Sequence, residues 1–99
     1  MPKTLHCKNL SEVRDNIDRI DSLIVTLLAE RTRYVCEAAQ FKTTRNDIRV
    51  PSRIEAIIKQ VTSLAINENS DPQLIESVYR HLIEQSIVAE ARHWDETHK

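Results

Sequence analysis

The sequence has no glycine among its 99 residues. β-Hairpin turns and β-bulges rely on residues that tolerate positive φ, so a chain without glycine is a poor candidate for a fold built from hairpins. Aromatic residues make up only 4% of the chain, and interspersed basic and acidic residues give a net charge of −1. This composition argues against a nucleic-acid-binding surface and against a membrane-binding face. It favours a small domain built from long helices.

Several functional elements are also missing. No apolar run reaches the roughly 18 residues that span a bilayer, and the N-terminal residues contain no signal-peptide hydrophobic region. We therefore expect a cytoplasmic protein in which Cys7 and Cys36 are free thiols. The four histidines lack zinc-site spacing, and there is neither a glycine-rich phosphate loop nor a Ser-His-Asp arrangement. No metal site is expected.

The length of the chain, with 40% apolar and 29% charged residues, suits one domain over residues 1–99. Ser11 is the predicted N-cap of a first helix, and Glu12 suits the positive end of its dipole. No proline follows until Pro51, and apolar residues recur at three- and four-residue steps. One amphipathic helix is therefore predicted from Ser11 to about Lys42. Its apolar positions are Val13, Ile17, Ile20, Ile24, Leu27, Leu28, Val35, Ala38 and Ala39.

Two breaks separate this helix from two others. Polar and β-branched residues at 43–50 indicate a short, mobile, partly charged loop. Pro51 suits the first turn of a second helix, predicted over residues 51–67. Asp71 is a suitable N-cap for a third helix, which is predicted to extend to about Glu96. The chain is thus expected to be all-α, with three helices.

The predicted first helix is too long for a compact monomer. It would extend about 48 Å at 1.5 Å per residue, whereas a compact chain of this length is on the order of 35 Å across. An overhanging apolar stripe is unfavourable in water, and the same stripe of a second copy is its simplest cover. The sequence therefore predicts a three-helix protomer with a long first helix, paired in a homodimeric helical bundle.

Four ionisable residues fall on the apolar stripes. Arg14, Arg31 and Lys42 lie on the stripe of the first helix, and Glu90 lies on that of the third. Each basic side chain could instead lie over apolar surface and return its charge to water, or could pair with an acid. Burial of an unpaired charge is strongly unfavourable, so an excess of buried cations indicates an anionic ligand. We therefore expect a pocket for a small dicarboxylate.

A set of residues along nearly the whole chain carries a resemblance to a known family. These residues are Leu10, Val13, Arg14, residues 17–21 (IDRID), Ile24, Val25, Leu28, Arg31, Tyr34, Val35, Ala38, Ala39, Phe41, Lys42, Pro51, Arg53, Ala89, Glu90 and Trp94. In them the sequence resembles the all-helical chorismate mutase family, and most closely its isochorismate pyruvate lyases of salicylate and siderophore synthesis. The spacing from Arg14 to Arg31 to Lys42 is the most specific part.

The resemblance implies the type II chorismate mutase fold, an intertwined homodimer with two equivalent pockets. Each pocket would bind its substrate through Arg31, Lys42, Arg53 and Glu90 of one chain and Arg14 of the other. Lys42 and Glu90 are the implied catalytic residues, and no cofactor or metal is expected. The substrates carry two carboxylates, which arginines bind by paired hydrogen bonds. Their reactions are pericyclic in type, so catalysis requires orientation of the enolpyruvyl arm and a cation at the breaking ether oxygen.

Two positions differ between the lyases and the mutases of this family. The mutases usually have a glutamate directly after the arginine matched by Arg53, where it meets the ring hydroxyl of chorismate. This chain has Ile54, which is similar to the lyases and would leave that hydroxyl unpaired, a loss of about 1–3 kcal/mol. Ser86, in contrast, is more similar to the mutases.

Glu90 is a further departure, because most members of the family have a glutamine that donates a hydrogen bond to the ether oxygen. An ionised carboxylate would repel that oxygen. We therefore predict that Glu90 works in its protonated form.

The first hypothesis is an isochorismate pyruvate lyase that makes salicylate and pyruvate, with slow chorismate mutase activity in the same pocket. The alternative is a chorismate mutase that makes prephenate. A third hypothesis is a non-catalytic helical dimer that binds an aromatic acid, since a fold can persist where the chemistry has been lost.

Overall fold

The computed structural model describes residues 5–99. Over this range the chain forms three α-helices, α1 (Leu10–Ala38), α2 (Pro51–Asn67) and α3 (Pro72–Thr97), and no strand. Two short 3₁₀ helices, Ala39–Phe41 and Arg45–Ile48, lie between α1 and α2. The all-α prediction with three helices is confirmed. None of the helices described is long and apolar enough to cross a membrane.

The N-cap of α1 is Asn9, so the prediction of Ser11 was wrong. The Asn9 side-chain oxygen accepts a hydrogen bond from the backbone N–H of Glu12 at 2.9 Å, and Leu10 is the first helical residue. The Glu12 carboxylate in turn accepts from the backbone N–H of Lys8 at 3.2 Å. Asparagine caps a helix as well as serine does, and only the cap at position 9 places Glu12 where it can bond back to the preceding chain.

The C-terminal end of α1 also differs from the prediction, which extended the helix to about Lys42. The α-helical part ends at Ala38, and the 3₁₀ turn Ala39–Phe41 follows. This tighter turn buries Ala39 completely. Lys42 then has an extended backbone, with φ −98° and ψ 127°. The chain therefore leaves the helical path before Lys42, not after it.

Residues 43–50 contain regular structure, whereas the sequence indicated only a loop. The 3₁₀ helix Arg45–Ile48 begins with a reciprocal cap between Thr44 and Asp47, and Ile48 is buried. Two ion pairs tie this segment to α3. Arg45 contacts Asp95 at 3.0 Å, and Arg49 forms two hydrogen bonds with Glu84, at 2.9 and 2.5 Å.

The turn between α2 and α3 has positive φ without glycine. Asn69, with φ 55°, follows the C-cap Glu68. The N–H groups of Asn69 and Ser70 donate to the carbonyls of Ile66 and Ala65, at 3.0 and 2.8 Å. This is a Schellman cap in which asparagine takes the place usually held by glycine. Asp71 then caps α3, as predicted, by accepting from the N–H of Gln73 at 2.9 Å.

The molecule is elongated, and its core lies mainly between α2 and α3. It measures 55 × 25 × 15 Å, and its radius of gyration of 17.0 Å exceeds the value of about 13 Å expected for a compact chain of this length. No residue of α1 is buried. The exposed apolar residues of α1 are Leu10, Val13, Ile17, Ile20, Leu23, Ile24, Val25, Leu27, Leu28 and Tyr34. The long first helix is thus observed, and its pairing with a second copy stays a prediction.

Candidate active site

A cavity of about 380 Å³ opens between the C-terminal half of α1, the segment after it, the first turns of α2 and the middle of α3. This volume suits a small organic acid. Its apolar lining consists of Val35, Ala38, Ile48, Val50, Ile54, Ile57, Ile83 and Ile87, and its polar lining of Arg31, Tyr34, Lys42, Arg53, Ser86 and Glu90. Four of the five predicted site residues therefore lie around one cavity.

Arg31 projects from α1 towards α3 and is half-buried. Its guanidinium donates to the hydroxyl oxygen of Ser86 at 2.6 Å. The Ser86 hydroxyl itself donates to the carbonyl of Leu82 at 2.8 Å, which leaves its oxygen lone pairs for Arg31. This chain of hydrogen bonds fixes the guanidinium at the cavity wall and leaves its other N–H groups free to bind a carboxylate.

Lys42 and Glu90 are in contact with each other in the lining of the cavity. The Lys42 ammonium lies 3.1 Å from Oε2 of Glu90 and donates to the backbone carbonyl of Asp47 at 3.3 Å. Glu90 is 6% exposed. Although Lys42 is within ion-pair distance, Oε2 has no aligned hydrogen-bond donor and is a buried atom without a hydrogen-bond partner. A buried polar atom of this kind is uncommon in folded proteins, so it is of interest beside a cavity.

Arg53 and Ile54, together with Ile57, form the wall contributed by α2. Arg53 and Ile54 lie in the first turns after Pro51, and Arg53 is exposed to solvent whereas Ile54 is half-buried. An arginine at the rim can reach a carboxylate from the open side. The adjacent Ile54 offers that ligand only apolar surface.

Arg14 does not line this cavity. It is exposed on α1, 17 residues before Arg31, which places it about 26 Å farther along the helix axis. The structure therefore does not bring Arg14 to the other four residues within one chain. Its contribution from a second chain stays a prediction.

Sequence reasoning gave Trp94 no role in the site and named it only among the residues that carry the family resemblance. The indole N–H of Trp94 donates to the backbone carbonyl of Lys42 at 3.2 Å. The only available signal was the spacing of four residues from Glu90, which puts both side chains on one face of α3.

The electrostatics of the cavity favour an anion. Among the described lining residues, Arg31, Lys42 and Arg53 are cationic and Glu90 is the single acid. Within residues 5–99, no group of three or more histidine, cysteine, aspartate or glutamate side chains is placed to hold a metal ion. An excess of positive charge beside apolar walls can bind and orient a dicarboxylate and can stabilise negative charge that develops during a reaction.

Comparisons with known proteins give one matching family model and several relatives. A family model described as chorismate mutase type II matches residues 13–91. The chain is 31% identical to an isochorismate pyruvate lyase of Pseudomonas aeruginosa, over 92% of this chain and 90% of that protein. It is 29% identical to a chorismate mutase of Methanocaldococcus jannaschii, over 91% and 92%. It is 33% identical to a bifunctional chorismate mutase/prephenate dehydratase of Enterobacter agglomerans, over 82% of this chain and 21% of that protein.

Proposed function

Because the chain belongs to the chorismate mutase type II family, we propose that it is an isochorismate pyruvate lyase, which converts isochorismate to salicylate and pyruvate. The choice of lyase over mutase activity rests on the apolar side chain of Ile54, which lies at the cavity wall directly after Arg53. Chorismate would leave its ring hydroxyl without a partner at such a wall, at a loss of about 1–3 kcal/mol. The similarity to the lyase of Pseudomonas aeruginosa over 92% of the chain supports the same choice.

In this proposal the arginines bind the two carboxylates of the substrate. Arg31, held by Ser86, binds one carboxylate from inside the cavity, and Arg53 closes over the other from the rim. The apolar residues between them exclude water from the reacting ring. The enolpyruvyl arm is thereby oriented over the ring, which removes much of the entropic barrier to a cyclic transition state.

Lys42 acts on the ether oxygen. The bond between the ring carbon and the ether oxygen breaks while a ring hydrogen moves to the methylene carbon of the arm. The arm leaves as pyruvate and the ring becomes salicylate, with no atom left over. Negative charge grows on the oxygen as the bond breaks, and the Lys42 ammonium stabilises it. The hydrogen bond from Lys42 to the Asp47 carbonyl, at 3.3 Å, keeps the ammonium over the cavity.

Glu90 acts as a neutral hydrogen-bond donor to the same oxygen. An ionised carboxylate would repel that oxygen, so this role requires the protonated acid. Oε2 of Glu90 is buried and has no aligned hydrogen bond within residues 5–99, so the carboxyl group is available to bond to the ether oxygen. Lys42 and the protonated Glu90 then approach the ether oxygen from two sides.

The complete site requires a second chain in this proposal. The uncovered apolar residues of α1 pair with those of another copy, and Arg14 of each chain completes the cavity of the other. A third guanidinium there adds to the positive charge that receives the dianion.

Incubation of the purified protein with isochorismate and with chorismate, in separate reactions, tests the proposal. We expect salicylate fluorescence to appear with isochorismate and little prephenate to form from chorismate. A turnover number for chorismate that equals or exceeds that for isochorismate would refute the lyase assignment.

Chorismate mutase activity is the second candidate, and Ser86 is the observation that favours it. Its hydroxyl lies 2.6 Å from the guanidinium of Arg31, and the residue resembles that of the mutases. The 29% identity to the mutase of Methanocaldococcus jannaschii is consistent with it. Prephenate as the main product in the same experiment would establish this candidate.

A non-catalytic dimer that binds an aromatic acid is the third candidate. It is favoured by the 3.1 Å contact between Lys42 and Glu90, since a permanent ion pair would neutralise the expected catalytic cation. Binding of salicylate without turnover of either substrate would support it.

A further inference from the structure

Lys42 needs external support because it lies outside regular secondary structure. Its backbone N–H donates to the Ala39 carbonyl at 3.1 Å, which closes the 3₁₀ turn. Beyond that turn the backbone is extended, and no helical partner exists for the Lys42 carbonyl. A lysine side chain has four rotatable bonds, so the position of its ammonium depends on a fixed backbone.

We infer that Trp94 is a positioning residue for Lys42. Its indole N–H donates to the Lys42 carbonyl at 3.2 Å, whereas one turn earlier on α3 Glu90 meets the Lys42 ammonium at 3.1 Å. Lys42 is therefore held by α3 at both its backbone and its side-chain end. Trp94 itself does not line the cavity, so it acts on the reaction only through Lys42.

The indole ring is itself held in place. The imidazole of His98 stacks on it, with ring centroids 3.9 Å apart and an interplanar angle of 11°. Nδ1 of His98 lies 2.8 Å from the Trp94 carbonyl and 3.1 Å from the hydroxyl of Thr97. The last turn of α3 thus keeps the indole N–H directed at Lys42.

This role rests on the proposed function and adds a requirement to it. Loss of the indole N–H removes the tether of the Lys42 backbone without removing any group that binds the substrate carboxylates. The ammonium then occupies its catalytic position for a smaller fraction of the time. We expect kcat to fall roughly tenfold while KM changes by less than about twofold.

Trp94 is the only tryptophan of the chain, so replacing tryptophan by an analogue throughout the protein changes this residue alone. Growth of a tryptophan auxotroph on β-(3-benzothienyl)alanine exchanges the indole N–H for sulfur and retains the size of the ring. The genetic variant Trp94→Phe provides a second test with ordinary amino acids. His98→Leu is the comparison variant, since it removes the stacked ring and keeps the N–H, and it should lower kcat by less than removal of the N–H does.

A double-substitution cycle distinguishes positioning from a general effect on folding. In the Lys42→Ala background, where no ammonium needs a position, removal of the indole N–H should leave the residual rate unchanged. An equal loss of kcat in both backgrounds, a kcat within twofold for the sulfur analogue, or a change confined to KM would overturn the inference.

Failure of the proposed function would be recognised separately, as an absence of turnover in the unmodified protein. The positioning contact would then be tested by hydrogen exchange of the single indole N–H resonance. Protection from exchange supports the contact, and exchange at the rate of free tryptophan overturns it.

Discussion

Replacement of Glu90 by glutamine should change how the lyase rate depends on pH. The amide has the size of the carboxyl group and can donate a hydrogen bond to the ether oxygen at any pH. The native carboxyl group donates only when protonated. The native rate should therefore fall with rising pH, whereas the rate of Glu90→Gln should be nearly constant.

The size of the difference follows from the surroundings of Glu90. Removal of one donor from a charge-stabilising site commonly lowers kcat by about 10² to 10³. Glu90 is 6% exposed, so water does not replace the lost donor. The Lys42 ammonium, which lies 3.1 Å from Oε2 of Glu90, continues to stabilise the ether oxygen of the substrate. We therefore expect the lower end of that range. Glu90→Gln should exceed the native rate by about 100-fold at the alkaline limit and match it at the acidic limit.

Initial rates of salicylate formation, measured by fluorescence from about pH 5 to about pH 8, provide the assay. Glu96→Gln is the matched control, because Glu96 is an exposed acid on the same helix and does not line the cavity. Its profile should equal the native one. A native rate that is independent of pH over this range would refute the role of a protonated Glu90.

Further predictions concern the second chain, specificity and acid stability. If each cavity uses Arg14 of one chain and Arg31 of the other, then Arg14→Ala and Arg31→Ala should each be nearly inactive. An equal mixture should recover about a quarter of the native activity after subunit exchange, because half of the dimers then contain one intact site; no recovery would exclude shared sites. Ile54→Glu should raise the ratio of mutase to lyase turnover by roughly 5- to 150-fold, as measured with each substrate, because it supplies a partner for the chorismate hydroxyl. Arginine hydrogen bonds lower the pKa values of Glu55 and Glu84 below 4.5, so both contribute stability at neutral pH that is lost as pH falls below that value. The thermal midpoint of the double variant Glu55→Gln/Glu84→Gln should therefore fall less steeply in acid than that of the native protein.

The helical fold could be predicted from the sequence because its strongest signals are local. Proline at residue 51 and aspartate at 71 marked the starts of two helices, and both agree with the structure. The cap of α1 was misassigned because asparagine and serine have similar capping preferences. The choice of Asn9 over Ser11 depends on the hydrogen bond that the Glu12 carboxylate accepts from the backbone N–H of Lys8.

Four predicted site residues lie around one cavity, but the backbone path to one of them, Lys42, differs from the prediction. Lys42 was assigned to the cavity as a continuation of the helical stripe, yet it reaches the cavity from an extended backbone after a 3₁₀ turn. The tether from Trp94 and the ion pairs of Arg45 and Arg49 with α3 join residues more than 30 positions apart. Contacts between such distant residues leave no periodic pattern, so only the folded chain reveals them.

The 29-residue length of α1 has a consequence for how this chain can change during evolution. In the proposed dimer, one rigid rod carries Arg14 for one cavity and Arg31 for the other, so it fixes both their separation and their relative angle. Insertion of a single residue between them would rotate one arginine by about 100° and empty both cavities of a guanidinium at once. We therefore expect related chains whose cavities take one arginine from each protomer to vary freely in their loops. The interval of 17 positions between Arg14 and Arg31 should stay unchanged in them.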